Sequence, residues 1–317
     1  MDLKLFSNSS LCVVGNLNRD IKTTPFKAGN WLLRDGEHSV DGIYETIGGG
    51  GANSAAIAAG LGAKVNFAAC IGSDGLGARL QKRMQSVGVK CFFKKNSSTP
   101  TGSTINLVYS SGQRHFLSCH PNNRALDFES IDPQALAGAC HLLRADIWFS
   151  DSMLKGGNRR LFELARCQGL AVSLDLNWDP EWGRAPARLI RMRKKAVREI
   201  LPLVDLAHGN MRELCEFADA ATLADALKRI TQWGAGAVVV HLGSKGAGYY
   251  SEESKFVTAP SMRVKQPLIA TGTGDVLSVC MILLHERKDL AIKQKLTTAN
   301  RIVAGYMSGL GPSLPPF

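Results

Sequence analysis

The sequence predicts a three-layer α/β protein, in which a mostly parallel sheet lies between two layers of helices. From residue 145 onward, short apolar segments typical of buried strands alternate with longer segments typical of helices. Alternation of this kind implies a parallel sheet that is covered on both faces. Two β-rich stretches, 20–47 and 91–118, interrupt the pattern, and we expect them to pair in space as a small β lid.

The order of the elements gives the predicted division of the chain. The predicted strands are 11–15, 64–70, 90–95, 103–110, 114–118, 147–149, 171–174, 204–206 and 237–241. The predicted helices are 52–61, 78–86, 156–167, 186–199, 210–218 and 221–233. The core is therefore expected to comprise residues 1–19, 48–90 and 119–317, and the lid residues 20–47 and 91–118.

The composition is typical of a soluble globular protein, since the 317 residues are 45% hydrophobic and 21% charged. Charges interrupt every apolar run before it is long enough to cross a bilayer, and the N-terminus lacks a signal-peptide core. We therefore expect no membrane contact and a cytoplasmic location. The eight cysteines are scattered, which favours reduced thiols over a disulfide framework or a metal site.

The formal net charge of +11 is compatible with two kinds of partner, nucleic acid and small anionic substrates such as nucleotides. The basic cluster 191–195 falls in a predicted helix, where a solvated face is the usual explanation. No zinc-finger or RNA-binding aromatic signature accompanies this cluster, so nucleic acid is kept only as the weaker alternative partner.

A glycine-rich turn before an apolar helix is the strongest local signal for chemistry. Gly272, Thr273 and Gly274 precede a long apolar run, and Asp275 falls in the first helical turn. Unpaired amides at a helix N-terminus, together with the positive end of the helix dipole, form an anion site. A carboxylate beside such a site suits a reaction that holds a hydroxyl in line with a phosphoryl group. An Asp that merely favours the helix dipole is the alternative interpretation.

A second glycine-rich stretch, 48–51, precedes another predicted helix, with Asn53 in its first turn. Consecutive glycines let a ligand approach the backbone itself, and Asn53 offers both a donor and an acceptor. A flexible loop with Asn53 as a helix cap is the alternative. Neither glycine-rich stretch matches a Walker A loop or a dinucleotide-binding fingerprint.

Six motifs in a fixed order are more specific than any one alone. They are Gly15-Asn-Leu-Asn-Arg-Asp20, Gly49-Gly-Gly-Ala-Asn53, Ala69-Cys-Ile-Gly-Ser-Asp-Gly-Leu-Gly77, Asn210-Met-Arg-Glu213, Leu242-Gly-Ser-Lys-Gly246 and Thr271-Gly-Thr-Gly-Asp275. The series resembles the ribokinase-like carbohydrate kinases, also called the phosphofructokinase-B type, from about residue 10 to the C-terminus. The resemblance implies a ribokinase-like fold and ATP-dependent phosphorylation of a primary hydroxyl on a small sugar or sugar derivative.

The resemblance also implies roles for matching positions. Asp275 would be the catalytic base, and Gly272, Thr273 and Gly274 would donate amides to the transferring phosphoryl group. The positions that would bind the sugar are Asn18, Asp20, Gly49, Gly50 and Asn53. The positions that would bind ATP are Asn210, Glu213, Gly243, Ser244, Gly246 and Asn300.

Magnesium is implied as a cofactor, held near Glu213 through water. The same Asn210–Glu213 pair is also the pattern of a helix capping box, and the two interpretations are compatible. The family pattern begins its last motif with aspartate, where this chain has Ile269 followed by Ala270. Because that aspartate helps to bind a monovalent cation in ribokinases, we expect little activation by potassium.

Two further expectations concern alternatives and assembly. A nucleoside kinase shares the fold and the final motif, and a catalytically silent sugar- or nucleotide-binding protein is the alternative from another class. The lid would be a small sheet with one apolar face, which is not stable alone. We therefore expect two copies of the chain to form a homodimer through their lids.

Overall fold

The described residues, 6–265 and 272–311 of a computed structural model, form alternating strands and helices. The strands are β1 (Ser10–Val14), β2 (Asn18–Thr23), β3 (Ile43–Gly48), β4 (Lys64–Gly72), β5 (Val89–Asn96), β6 (Ser103–Val108), β7 (Arg114–Cys119), β8 (His141–Arg144), β9 (Ala171–Asp175), β10 (Leu206–Asn210), β11 (Ala237–His241), β12 (Ala247–Ser251) and β13 (Lys255–Ala259). The helices are α1 (Gly50–Gly60), α2 (Gly75–Ser86), α3 (Pro121–Arg124), α4 (Asn158–Cys167), α5 (Ala187–Arg198), α6 (Met211–Ala218), α7 (Leu223–Gln232), α8 (Thr273–Leu283) and α9 (Ile292–Met307).

The large sheet confirms the predicted, mostly parallel architecture. Within the described ranges its strand order is β13-β12-β11-β10-β9-β8-β1-β4-β5. Neighbouring strands from β11 to β5 are parallel, whereas β12 and β13 are antiparallel and form one edge. The carboxyl ends of the parallel strands meet at one edge, which is where ligands bind in sheets of this kind.

Helices cover both faces of the large sheet, which confirms the three-layer prediction. One core cluster joins α1, α8 and α9 to one face, and a second joins α4, α6 and α7 to the other. Most residues of the helices α1 and α8 are buried, as expected for helices that pack against the sheet and against other helices. Within the described residues, no helix is both long and apolar enough to cross a membrane.

A smaller sheet with the order β3-β2-β6-β7 forms a separate layer. Two antiparallel hairpins, β2–β3 and β6–β7, are joined by parallel pairing between β2 and β6. The two β-rich stretches therefore pair as the sequence predicts. Strand β5 differs from the prediction, because it pairs with β4 at the edge of the large sheet although residues 91–96 were expected in the lid.

Two core strands were placed wrongly by the sequence analysis. The predicted strand 147–149 is a turn, and the strand of that repeat is β8, whose ends are His141 and Arg144. The apolar run 147–149 is buried without being a strand, so hydrophobicity alone misplaced the element. The predicted strand 204–206 is displaced in the same way, since β10 begins at Leu206. Ile269, Ala270 and Thr271 lie outside the described residues.

Candidate active site

Polar side chains gather at the edge where the parallel strands end. Asn18 follows β1, Asp146 follows β8, Asp175 ends β9 and Asn210 ends β10. The first turns of α1 and α8 meet at the same place, because Asn53 of α1 donates from Nδ2 to Oδ2 of Asp275 over 3.1 Å. The two glycine-rich motifs of the sequence are thus brought into direct contact.

The surroundings of Asp275 raise the pKa of its carboxyl group. Its pKa is raised to about 7, chiefly by burial; the hydrogen bond from Asn53 opposes this shift, and the negative charges of Asp146 and Glu213 contribute to it. A carboxylate with a pKa near neutrality can accept a proton and release it at physiological pH. Asp275 therefore has the properties of a general base.

The start of α8 presents backbone amides next to this carboxylate. Gly272 has φ 83°, a left-handed conformation that glycine adopts without a steric penalty. Thr273 and Gly274 follow as the first helical residues, where amides have no partner within the helix. Gly274 packs against His241, since a β-carbon on it would lie 3.1 Å from Nδ1 of that ring. The turn can therefore offer donors to an anion from beside Asp275.

Asn18 and Asp20 lie together on β2, at the junction of the two sheets. Asn18 donates from Nδ2 to Oδ1 of Asp20 over 2.8 Å. Burial raises the pKa of Asp20, and the charge of Lys22 opposes that shift. Gly48 on the paired strand is required here, because a β-carbon would lie 1.9 Å from Oδ1 of Asp20.

Gly49 and Gly50 begin α1 under similar constraints. Gly49 has φ 98°, and a β-carbon on it would lie 2.4 Å from the carbonyl oxygen of Asn16. A β-carbon on Gly50 would lie 2.8 Å from Oδ1 of Asp146. The glycines are therefore needed for close backbone packing, which brings Asn53 to Asp275.

Asp146 is a site residue that the sequence analysis missed. Its Oδ2 accepts hydrogen bonds from the backbone N–H groups of Asn16 at 3.0 Å and Gly51 at 2.8 Å. Its Oδ1 accepts a hydrogen bond from the backbone N–H of Gly50 at 3.3 Å. A carboxylate at a helix N-terminus satisfies amides that otherwise lack partners. Asp146 thus holds the start of α1 against the end of β1. The misplaced strand 147–149 concealed this residue, which follows a strand rather than preceding one.

Asp175 and Asn177 complete the acidic edge. Burial raises the pKa of Asp175 well above its usual range, and the charges of Glu213, Asp275 and Asp146 act in the same direction. Asn177 accepts the backbone N–H of Asp146 at 3.0 Å through its side-chain oxygen. Both Asn177 and Asp146 have positive φ, 37° and 55°, a strained arrangement often found at functional sites.

Asn210 and Glu213 form a capping box at the start of α6. The backbone N–H of Asn210 donates to Glu213 Oε2 at 2.8 Å, and that of Glu213 donates to Asn210 Oδ1 at 2.9 Å. Burial raises the pKa of Glu213. Within the described residues, no group of three or more acidic, histidine or cysteine side chains could hold a metal ion.

The loop that follows β11 is shaped by two glycines. Gly243 has φ 58° and Gly246 has φ 103°. A β-carbon on Gly246 would lie 2.2 Å from the carbonyl oxygen of Ala259, so only glycine fits. Ser244 accepts a hydrogen bond from Ser261 through its carbonyl oxygen. The loop is thereby fixed next to His241, whose Nε2 lies 3.0 Å from Oγ of Ser278 on α8.

Asn300 lies on α9 and contacts the backbone that packs against Gly246. Its Nδ2 donates to the carbonyl oxygens of Ala259 and Pro260, each at 2.9 Å. Since both amide hydrogens are used, Asn300 positions the backbone that packs against Gly246. This arrangement places it with the loop rather than with Asn53 and Asp275.

Known proteins resemble the chain over most of its length. The family model for pfkB family carbohydrate kinases matches residues 8–283, so the chain belongs to this family of kinases. A ribokinase from Haemophilus influenzae is 26% identical over 298 residues, which are 90% of this chain and 89% of that protein.

Solved structures show the same fold. A candidate Ribokinase II from E. coli, determined with ATP and Mg²⁺, superimposes with a TM-score of 0.78 at 22% identity, covering 96% of this chain and 94% of that one. An adenosine kinase from Sinorhizobium meliloti has a TM-score of 0.78 at 17% identity, covering 96% and 95%. The ribokinase-like fold that the motifs imply is therefore confirmed.

Proposed function

We propose that the protein transfers the γ-phosphoryl group of ATP to a primary hydroxyl of a small sugar or sugar derivative. The observation that carries this proposal is the hydrogen bond between Asn53 and Asp275. It places a carboxyl group with a pKa of about 7 beside the free amides of a helix N-terminus. Membership of a carbohydrate kinase family supports the same reaction.

In the proposed reaction Asp275 is the base. The hydroxyl oxygen bonds to the γ-phosphorus as the bond to the bridging oxygen of ADP breaks, and the hydroxyl proton passes to Asp275. Negative charge on the transferred group faces the amides of Gly272, Thr273 and Gly274, which are fixed before the reaction begins. Such preorganised donors stabilise charge where it develops.

The other predicted site residues would bind the sugar, the nucleotide and Mg²⁺. Asn18, Asp20, Gly49, Gly50 and Asn53 would surround the sugar, and Oδ1 of Asn53 is a buried acceptor without a partner among the described residues. Asn210, Gly243, Ser244 and Gly246 would contact the nucleotide, with Asn300 acting through the backbone it holds. Glu213 would hold Mg²⁺ through water. The ion would neutralise charge on the phosphates of ATP.

A screen for ADP release tests the proposal. Pentoses, hexoses, keto-sugar acids and nucleosides are each supplied with ATP and Mg²⁺. Sugar-dependent ADP release is expected for at least one carbohydrate, because the acidic and amide groups are assembled in the structure. Nucleotide binding without ADP release for any acceptor would favour the silent binding protein instead.

A nucleoside kinase is the second candidate function. The adenosine kinase from Sinorhizobium meliloti superimposes as well as the ribokinase-like structure does. The same screen separates the two candidates, since only a nucleoside kinase would release ADP with ribonucleosides and not with free sugars.

Homodimerisation through the small sheet and a cytoplasmic location remain predictions. The outer face of this sheet, opposite Asn18 and Asp20, carries three exposed apolar side chains, those of Ile43, Ile105 and Leu117. A second copy of the chain would bury them.

A further inference from the structure

The inner face of the small sheet continues beyond Asn18 and Asp20 with further polar residues. Because side chains alternate along a strand, Lys22 of β2 lies on the same face as Asp20. The register pairs Asp20 with Thr46 of β3 and Lys22 with Asn106 of β6. Lys22, Thr46 and Asn106 therefore share one face with the two residues proposed to bind the sugar.

Asn106 is enclosed without partners. Its residue is 0% exposed, and neither Nδ2 nor Oδ1 has a hydrogen-bond partner among the described residues. The hydroxyl of Thr46 is likewise buried and unpaired within that part of the chain. Burying a polar atom without a hydrogen-bond partner destabilises the folded state. By contrast, the hydroxyl of Thr104 on the same face lies 3.2 Å from Ser118 Oγ and 2.8 Å from His120 Nε2.

Lys22 is a buried cation with little compensation. The residue is 7% exposed, and its Nζ lies 3.9 Å from Oδ2 of Asp20, beyond hydrogen-bond range. Asp20 is the ion-pair partner of Lys22 among the described residues. Asp20 already accepts from Asn18 at 2.8 Å. Burial lowers the pKa of Lys22, the negative charge of Asp20 opposes that shift, and the positive charge of Arg114 adds to it.

We propose that Lys22, Asn106 and Thr46 form a specificity subsite for an anionic group, a carboxylate or a phosphate, carried by the sugar substrate. The ammonium group and the Asn106 amide N–H would donate to the anion, and Asn106 Oδ1 and the Thr46 hydroxyl would bond to sugar hydroxyls. Lys22 lies two residues beyond Asp20 on the same face of β2, and its ammonium group is 3.9 Å from the Asp20 carboxylate. The anionic group would therefore lie next to the part of the sugar that Asp20 is proposed to bind.

An anion fits this subsite better than a neutral group does. Lys22 is largely buried, and the carboxylate of Asp20 lies beyond hydrogen-bond range of its ammonium group. A bound anion would give this ammonium group a direct hydrogen-bond acceptor close to the positive charge of Arg114. The inference rests on the proposed function, because it assumes that the sugar lies between β2 and Asp275.

Calorimetric binding to the wild-type chain and to Lys22→Met tests the subsite without requiring turnover. D-Gluconate is compared with D-glucose, and D-fructose 6-phosphate with D-fructose, so the two pairs separate a carboxylate from a phosphate. We expect at least one anion to bind at least about tenfold more tightly than its neutral parent, as a hydrogen bond to a charged group warrants. Lys22→Met should abolish this difference in affinity between the anion and its neutral parent, and Lys22→Arg should restore part of it.

Lys27→Met is the matched control, since Lys27 is an exposed lysine just beyond β2. It should leave the difference in affinity between anions and neutral parents unchanged. The inference would be overturned if the wild type bound anions and neutral parents equally well, or if the difference in affinity persisted in Lys22→Met.

Asn106→Leu gives an independent test, because it should affect protein stability and sugar affinity in opposite directions. Removing two unpaired buried atoms should leave the free energy of unfolding unchanged or raise it, whereas affinity for the anionic sugar should fall at least about tenfold. A destabilised variant with unchanged affinity would show a purely structural Asn106 and contradict the subsite. Sugar binding with the predicted pattern but without ADP release would contradict the proposed kinase reaction alone.

Discussion

The hydrogen bond from Asn53 Nδ2 to Asp275 Oδ2, 3.1 Å long, joins the first turn of α1 to the first turn of α8. One helix begins where the small sheet ends, and the other begins at the proposed phosphoryl site. The same contact thus connects the sugar-binding and phosphate-binding halves of the proposed site, and two predictions follow from it directly.

The first prediction concerns the carboxylate itself. Asp275→Asn keeps the size of the side chain but cannot take a proton, so turnover should fall by ~10²–10⁴-fold. ATP affinity should persist, because the amides of Gly272 to Gly274 stay in place. The measurement is turnover and ATP affinity with the best substrate of the screen. Asp225→Asn, which alters an exposed Asp in the first turn of α7, controls for the helix dipole. Near-normal turnover in Asp275→Asn would refute the catalytic assignment.

The second prediction concerns pH. Asp275 must be deprotonated to act as a base, and burial raises its pKa to about 7. The value of kcat/KM should therefore fall as the pH decreases below about 7. Asn53→Ala removes a hydrogen bond that lowers this pKa, so the acidic limb of the profile should move to higher pH. A profile that stays flat down to pH 5.5, or an acidic limb unmoved by Asn53→Ala, would contradict this role.

The third prediction concerns acid stability. His141, His208 and His241 lie on one face of the large sheet, and burial lowers the pKa of His141 to about 3, that of His241 to about 4, and that of His208 well below its usual range. Unfolded histidines protonate near pH 6.5, so below that pH the unfolded chain binds more protons. Each such histidine should therefore reduce the free energy of unfolding by about 1.4 kcal/mol per pH unit below 6.5.

Urea unfolding at pH 7.5 and pH 5.5 measures this effect. The loss of stability between the two pH values should be smaller in His208→Gln by about 1.4 kcal/mol. His115→Gln, on the exposed strand β7, should behave as the wild type does. Buried carboxyl groups with raised pKa values shift the curve in the opposite direction, but they are common to all three proteins. An unchanged loss in His208→Gln would show that His208 does not stay neutral in the folded state.

The fourth prediction concerns assembly. Ile105 and Leu117 are neighbours on the outer face of the small sheet and are 44% and 54% exposed. If two copies cover these side chains, Leu117→Lys should shift the mass by light scattering from two chains to one at micromolar concentration. Phe116→Lys changes an equally exposed side chain on the opposite face and should preserve the dimer. A wild-type mass of one chain would exclude this interface.

The sequence predicted most of the fold because strand and helix periods are local signals. The prediction for 147–149 was wrong because Trp148 is buried by tertiary packing against Trp182 rather than by the sheet. The prediction of a solvated basic face holds for Arg191 and Lys195, which are exposed. It was wrong for Arg193 and Lys194, which are buried and paired with Asp179 and Glu216, respectively. Such pairs join residues 14 and 22 positions apart, and no local pattern reveals them.

The candidate site divides in the same way. Asn53 and Asp275 could be proposed from glycine-rich motifs, because each motif precedes its own helix. Asp146 and Asn106 could not, since their importance depends on what surrounds them. Asp146 is important because it accepts hydrogen bonds from three backbone N–H groups. Asn106 is important because its buried side chain has no hydrogen-bond partner among the described residues.

Strand β3 ends at Gly48 and α1 begins at Gly50, so a single residue joins the small sheet to the helix that carries Asn53. Adding or removing one residue at this joint would rotate α1 by about 100° and turn Asn53 away from Asp275. The connection between β2 and β3 spans residues 24–42, and its length does not set the rotation of α1. During evolution, insertions can therefore accumulate at the outer end of the small sheet and alter which sugars it admits, while the length of the joint stays fixed.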